Sequence, residues 1–169
     1  FMDPAKKSEP ERRPTSHLTI KRSKYSYNST LQLLTSWEDN LGLAHASNMT
    51  YKDGKLKIHQ DGFYYVYTNI CFRHHETSGR NDLTGKGIQL MLYMYHQKVT
   101  GSKPRYLMKG GSTKYWSSHT EHNFYCIYQG GIFKLKSGDE IFLKISYASL
   151  LDQSQEASYF GAFKLRDLE

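Results

Sequence analysis

Cysteine and proline are scarce in this 169-residue chain, which holds two of the first and four of the second. Two cysteines cannot build the disulfide framework of a small secreted scaffold. Neither Cys71 nor Cys126 stands in a CxxC pair of the kind that binds zinc. Both lie in apparent strands among bulky apolar neighbours, so they read first as buried free thiols, and a bond stays open only if their strands are neighbours. Long apolar runs are missing too. Nothing approaches the roughly 18 residues that cross a bilayer, and no h-region marks a signal peptide, so the chain as it stands is read as soluble. No window shows sustained helical periodicity with caps. There is no GxSxG, no HExxH and no convincing carboxylate pair, which makes an enzyme the weakest reading. His74-His75-Glu76 is not at i, i+4 helical spacing and has no cysteine or aspartate close by in sequence, so a metal is not expected there. Gly110-Gly111-Ser112-Thr113-Lys114 places its lysine after the Ser/Thr with no helix behind it, which argues against phosphate binding. No cofactor is expected.

What the chain has is aromatic bulk: 14 Tyr, 8 Phe and 2 Trp. It concentrates in Gly62–Phe72, GFYYVYTNICF, where five of eleven residues are Phe or Tyr. β-Branched and aromatic residues suit a pleated strand. The even positions, Tyr64, Val66, Thr68, Ile70 and Phe72, can fill a core. The odd positions, Phe63, Tyr65, Tyr67, Asn69 and Cys71, would face the other way, and they are not solvent-like either. A strand apolar on both faces needs cover on both. In a chain this short, one cover is its own second sheet and the other is sought in another chain.

The net charge of +7 is unevenly placed. Residues 1–24 hold seven Lys/Arg against three Asp/Glu, and residues 25–169 hold sixteen against thirteen. Residues 1–15 are Pro-rich and charged and cannot bury enough surface to fold, so they read as a disordered basic leader ahead of one domain over 16–169. Such a basic surplus reads as a solvated tail, and no nucleic-acid partner is expected. Two N-x-[ST] triplets, at Asn28 and Asn48, are candidate glycosylation sites and lean towards an extracellular chain.

Along the chain, about nine or ten strand candidates alternate with turn signals. Ala44–Tyr51 and Lys55–His59 read as a hairpin closed by Asp53-Gly54. Ile88–Gln97 and Glu140–Tyr147 are strong strands. His122–Leu135 is a long strand interrupted by Gly130-Gly131. Gly110-Gly111 suggests a bulge or a close backbone approach. The pattern predicts an all-β, two-sheet antiparallel jelly-roll sandwich.

Three stretches in order then carry a resemblance: GFYYVYTNICF; Ile127–Leu135 followed by Gly138-Asp139; and Ser158–Phe163 (SYFGAF). Together they resemble the tumour necrosis factor superfamily homology domain over about residues 16–169. Asn69–Gly79 (NICFRHHETSG) and Leu107–Lys114 (LMKGGSTK) resemble the branch that engages the receptor RANK and its decoy osteoprotegerin. Ile127–Phe133 looks more like a death-receptor ligand of the same superfamily. Tyr115 stands where that ligand has a trimer-axis cysteine, so no zinc is expected. A C1q-like module that binds glycan or matrix is the other jelly-roll alternative.

The resemblance implies a homotrimer of non-enzymatic cytokine type that clusters receptors, drives osteoclast differentiation and immune signalling, and is extracellular, either secreted or the ectodomain of a single-pass type II membrane protein anchored through a segment outside this chain. It places Tyr67, Tyr128, Tyr159 and Phe163 at subunit interfaces. It places Arg73, His74, His75, Glu76, Gln89, Tyr93, Val99, Glu121 and Asp152 at receptor contacts in the clefts between subunits. Arg73 would offer a planar fork to a receptor carboxylate, and Asp152 the opposite charge. Residues 21–41 and 98–105 depart from the branch, so receptor choice is the least constrained expectation.

Overall fold

The computed structural model describes residues 12–75, 87–116 and 122–169, with backbone alone at 75 and 122. Twelve strands follow one another among them: β1 Thr15–Ile20, β2 Gln32–Leu33, β3 Trp37–Glu38, β4 His45–Ser47, β5 Met49–Lys52, β6 Lys55–Ile58, β7 Gly62–His75, β8 Gly87–Gln97, β9 Arg105–Tyr115, β10 His122–Leu135, β11 Glu140–Ile145 and β12 Tyr159–Arg166. One 3-10 turn, Ala148–Leu150, is the only helical element among the described residues. No helix there is long and apolar enough to cross a membrane. The strand at Thr15 begins one residue before the expected domain boundary, and residues 1–11 of the leader lie outside the described residues.

The strands form two antiparallel sheets. The first runs β10-β7-β12-β1-β3, with β4 also on β1; the second runs β5-β6-β11-β8-β9, with β2 on β11. Strand alternation sets what lies between them. Tyr64, Val66, Thr68 and Ile70 of β7 are fully buried, as are Leu90, Leu92 and Met94 of β8 and Ile141, Leu143 and Ile145 of β11. Phe160 closes the first sheet over Trp37, with ring centroids 4.6 Å apart edge to face. The inward sets of the two sheets thus make one core, as aligned sandwiches do.

The Asp53-Gly54 hairpin forms as expected. Both turn residues have positive φ, 49° and 88°, which is the backbone twist a two-residue hairpin turn needs. Two other readings change. β10 is not interrupted at Gly130-Gly131, because it pairs with β7 continuously from His122 to Leu135. In β9 the register slips at Leu107, between the Met94–Met108 and Tyr95–Tyr106 pairs, and not at the double glycine. Gly110-Gly111 instead marks close approach: a Cβ at Gly111 would lie 2.5 Å from the Leu90 carbonyl oxygen.

Cys71 and Cys126 are bonded, so of the two alternatives left open it is the disulfide that forms and not the pair of free thiols. They are directly opposed in the β7–β10 register, so the strands bring the sulfurs together without any loop having to move. The bond fastens the edge strand β10 to its neighbour β7.

Candidate functional site

The odd-numbered face of β7 turns away from the core, and its neighbours continue it. Across β10 the outward residues are Phe124, Tyr128 and Ile132. Across β12 they are Tyr159 and Phe163, and across β1 His17. In the single chain Ile132 is 61%, Tyr128 56% and Phe124 54% exposed, while Tyr65, Tyr67 and Tyr159 are half-buried against one another. Contiguous apolar surface of this kind marks a contact site rather than a scattered exposed residue.

The tyrosine rings lie across the strands because small residues leave room. Gly130 sits under the Tyr65 hydroxyl, and Gly161 sits between Tyr67 and the Ser16 carbonyl. The hydroxyls are paired within the face. Tyr65 and Tyr128 share a hydrogen bond of 2.8 Å. Tyr67 Oη lies 2.7 Å from His17 Nδ1 and donates to the Ser16 carbonyl at 3.3 Å. Tyr67 is pushed up to about 12 by burial and by the Tyr159 hydroxyl. Tyr128 reaches about 12 through its bond to Tyr65, with burial second. His17 is held below its ordinary value by burial and by the neighbouring His45. At neutral pH none of these three carries charge. The cations are peripheral: Lys134 and Arg166 stand over the Phe63 ring at the β7 N-terminal end, at 5.9 and 4.5 Å. An uncharged aromatic centre with charge at its rim is the composition of an interface that stays dry when covered. Tyr67, Tyr128, Tyr159 and Phe163 therefore share one surface patch.

The expected receptor contacts are not brought to one place. At the C-terminal end of β7, Arg73 Nε lies 3.3 Å from Asp152 Oδ2, and the guanidinium stands 5.5 Å over the Phe124 ring. These two charges, expected to face a partner, first face each other. Asp152 is held in turn by the chain: its N–H donates to the Cys71 carbonyl at 2.7 Å, and its Oδ1 accepts from the Ser154 N–H at 3.1 Å. His74 stacks on Trp116, with centroids 5.7 Å apart. Gln89 and Tyr93 lie on the outer face of the second sheet, where they line a groove of about 430 Å³ with Ser29, Leu31, Met91 and Tyr147. Asn28, beside that groove in sequence, is exposed; Asn48 is half-buried. Val99 is 63% exposed and packs on Gly138. The adjacent Ser137 N–H donates to Asp61, so Val99 sits at the Gly62 end of β7, eleven residues or about 35 Å from Arg73. Glu76, Glu121 and the side chain of His75 lie outside the described residues. Among the described residues, no group of three or more His, Cys, Asp or Glu could hold a metal ion.

The two antiparallel sheets agree with the resemblance. The TNF (Tumour Necrosis Factor) family model matches residues 35–165, most of the chain. The chain belongs to the tumour necrosis factor family. Human tumor necrosis factor ligand superfamily member 11 is 51% identical over the whole chain, which covers 53% of that relative's length. The rat member 11 is 47% identical over the whole chain and 52% of its length. Mouse member 10 is 36% identical over 137 residues, 78% of this chain and 47% of the relative. The chain thus spans about half the length of the curated relatives it matches. The likeness to member 11 is the stronger over the full chain, as NICFRHHETSG implied, and the match places the aromatic patch inside a tumour necrosis factor fold.

Sequence reasoning missed three things at these surfaces. The Arg73–Asp152 pair joins positions 79 apart and leaves no local signal. The disulfide was left open because alternation gives the face and not the register. The His96–Asp139 pair, described below, sits at ordinary strand and turn positions. Only its residue types, a histidine at an inward position and an aspartate in a turn, could have pointed to it.

Proposed function

We propose that the chain is the receptor-binding part of an extracellular cytokine that assembles as a homotrimer and clusters receptors of the tumour-necrosis-factor-receptor superfamily. The observation that carries the reading is the charge-free aromatic patch on the outer face of the first sheet. The core already covers the inner face of β7, and a sister subunit supplies what the outer face lacks. Tyr67, Tyr128, Tyr159 and Phe163 are its contacts. Three clefts between subunits then hold Arg73, His74, His75, Glu76, Gln89, Tyr93, Val99, Glu121 and Asp152. The placement of Arg73 and Val99 towards opposite ends of β7 suits an elongated receptor lying along the cleft. The Nε edge of Arg73 holds Asp152, which orients the guanidinium and leaves its terminal nitrogens for a receptor carboxylate. The work is geometric: three receptor chains are brought together, and multivalency strengthens engagement at a membrane. No turnover is involved.

The identity to member 11 over the full chain, with the NICFRHHETSG loop, supports RANK as the receptor and osteoprotegerin as the decoy, with osteoclast differentiation and immune signalling as the outcome. The parent protein is anchored by a segment outside this chain, and Asn28 and Asn48 carry glycans. The test is binding, side by side, to the ectodomains of RANK, osteoprotegerin and the death receptors. Tight binding to the first two, weakened at least about tenfold by Arg73→Ala or Asp152→Ala, is expected. Death-receptor binding alone, or full RANK affinity in both variants, refutes the assignment.

A further inference from the structure

The 98–104 connection between β8 and β9 is gripped at both feet by one buried group of side chains. His96, on the inward side of β8, is 1% exposed, and Asp139, in the turn before β11, is buried with it. His96 Nε2 lies 2.8 Å from Asp139 Oδ2, and Arg105 Nε donates to His96 Nδ1 at 3.1 Å. Asp139 also accepts the backbone N–H of Val99 on Oδ1 at 3.2 Å and that of Lys136 on Oδ2 at 3.0 Å. An arginine N–H can only donate, so His96 Nδ1 presents its lone pair. The ring proton therefore sits on Nε2 and is donated to Asp139. Both nitrogens of a neutral imidazole are in use.

We infer that His96 is a pH-gated positioning residue for the 98–104 segment: neutral, it ties Arg105 at one foot to the Asp139 that holds Val99 at the other, and protonated at Nδ1 it releases Arg105. Protonation leaves the bond to Asp139 intact and strengthens it as an ion pair. At the other nitrogen it sets an N–H against an N–H and a cation beside a guanidinium. The charged groups that meet His96 are Asp139 from the β10–β11 turn and Arg105 from β9. β11 sets Ile141 opposite His96, and its Glu140 pairs with Gln97 on the other face. Arg105 is exposed and can move into water. With the ring protonated, the segment stays pinned at Val99 and opens at Arg105. The consequence for recognition rests on Val99 being a receptor contact, as proposed above. The ordering of the segment does not.

The test is residue-resolved amide exchange of the intact protein at pH 7.5 and 5.5, corrected for intrinsic rates, with the His96 ring followed by nitrogen NMR. Losing a hydrogen bond to a side chain of this kind should speed opening of the amides around Arg105 about tenfold at pH 5.5, with β8 core amides unchanged. His96→Gln keeps a donor for Asp139 and an acceptor for Arg105 but does not titrate, so its exchange should be the same at both pH values. Arg105→Met, at an exposed position, should be open at both, and its His96 should titrate at higher pH than in the parent. Equal opening at the two pH values in the parent, or an unchanged His96 titration in Arg105→Met, overturns the inference. Receptor affinity is measured in parallel. Exchange that follows pH while affinity does not removes the consequence for recognition alone, and absence of any receptor binding removes the proposed function while the exchange result stands.

Discussion

Two glycines on the aromatic face separate folding from assembly. A Cβ at Gly161 would stand 2.2 Å from the Ser16 carbonyl oxygen and 2.7 Å from Tyr67 Oη. The first of these is backbone in the β1–β12 ladder and cannot swing aside. Overpacking of this kind costs about 1–3 kcal/mol. Replacing glycine in a strand returns about 0.5–1 kcal/mol, so Gly161→Ala should lose about 1 kcal/mol, or roughly 2–4 °C in Tm. A Cβ at Gly130 would stand 2.2 Å from Tyr65 Oη and 3.2 Å from Tyr128 Oη, both at the ends of side chains. Those rings can lift, at the cost of the Tyr65–Tyr128 hydrogen bond and of the flatness of the face. Gly130→Ala should therefore unfold within about 0.5 kcal/mol of the parent, while its self-association weakens. Urea denaturation of dilute protein reads the first quantity and sedimentation velocity the second, both at matched concentrations because assembly itself stabilises. A Gly161→Ala protein as stable as the parent, or a Gly130→Ala protein that assembles normally, refutes the argument.

Cys126→Ser should lower stability by about 4 kcal/mol, from the chain-entropy cost of a 55-residue separation, and the urea midpoint of the parent should fall as far on reduction. Acid should act in two stages. His17 has its folded value lowered, so its contribution is complete above its ordinary 6.5 and fades as pH falls below that; His17→Gln should shrink this stage of a pH series of urea midpoints. Burial pushes Asp139 up, but the N–H groups of Lys136 and Val99 and the His96 ring outweigh it and hold the carboxyl below its ordinary 3.8. Its contribution is present above that value and lost as pH falls below it, and Asp139→Asn should flatten the midpoint curve there.

Much of this architecture was legible in the residues. The alternation in Gly62–Phe72 gave both the buried face and the unexplained one, because a period of two assigns faces without needing the fold. Asp53-Gly54 gave its hairpin, because the turn chemistry is local. Register was not legible. It decides that Cys71 meets Cys126 and that β10 runs on through Gly130-Gly131, where Gly130 makes room for the Tyr65 ring of the neighbouring strand and Gly131 for the Phe133 ring of its own. Contacts between distant positions were equally silent: Arg73 with Asp152, and His96 with Asp139, each join elements that only the strand order brings together. The double glycine in β9 suggested a bulge or a close approach; it is the close approach, and the slip lies at Leu107, where no residue type announces it.

Sedimentation equilibrium across nanomolar to micromolar concentration bears most directly on whether the outer aromatic face is built to meet sister subunits. A species of about 59 kDa, three times the 19.7 kDa chain, should persist through that range and dissociate when Tyr67 or Ile132 is replaced by aspartate. A 19.7 kDa species at micromolar concentration would contradict it.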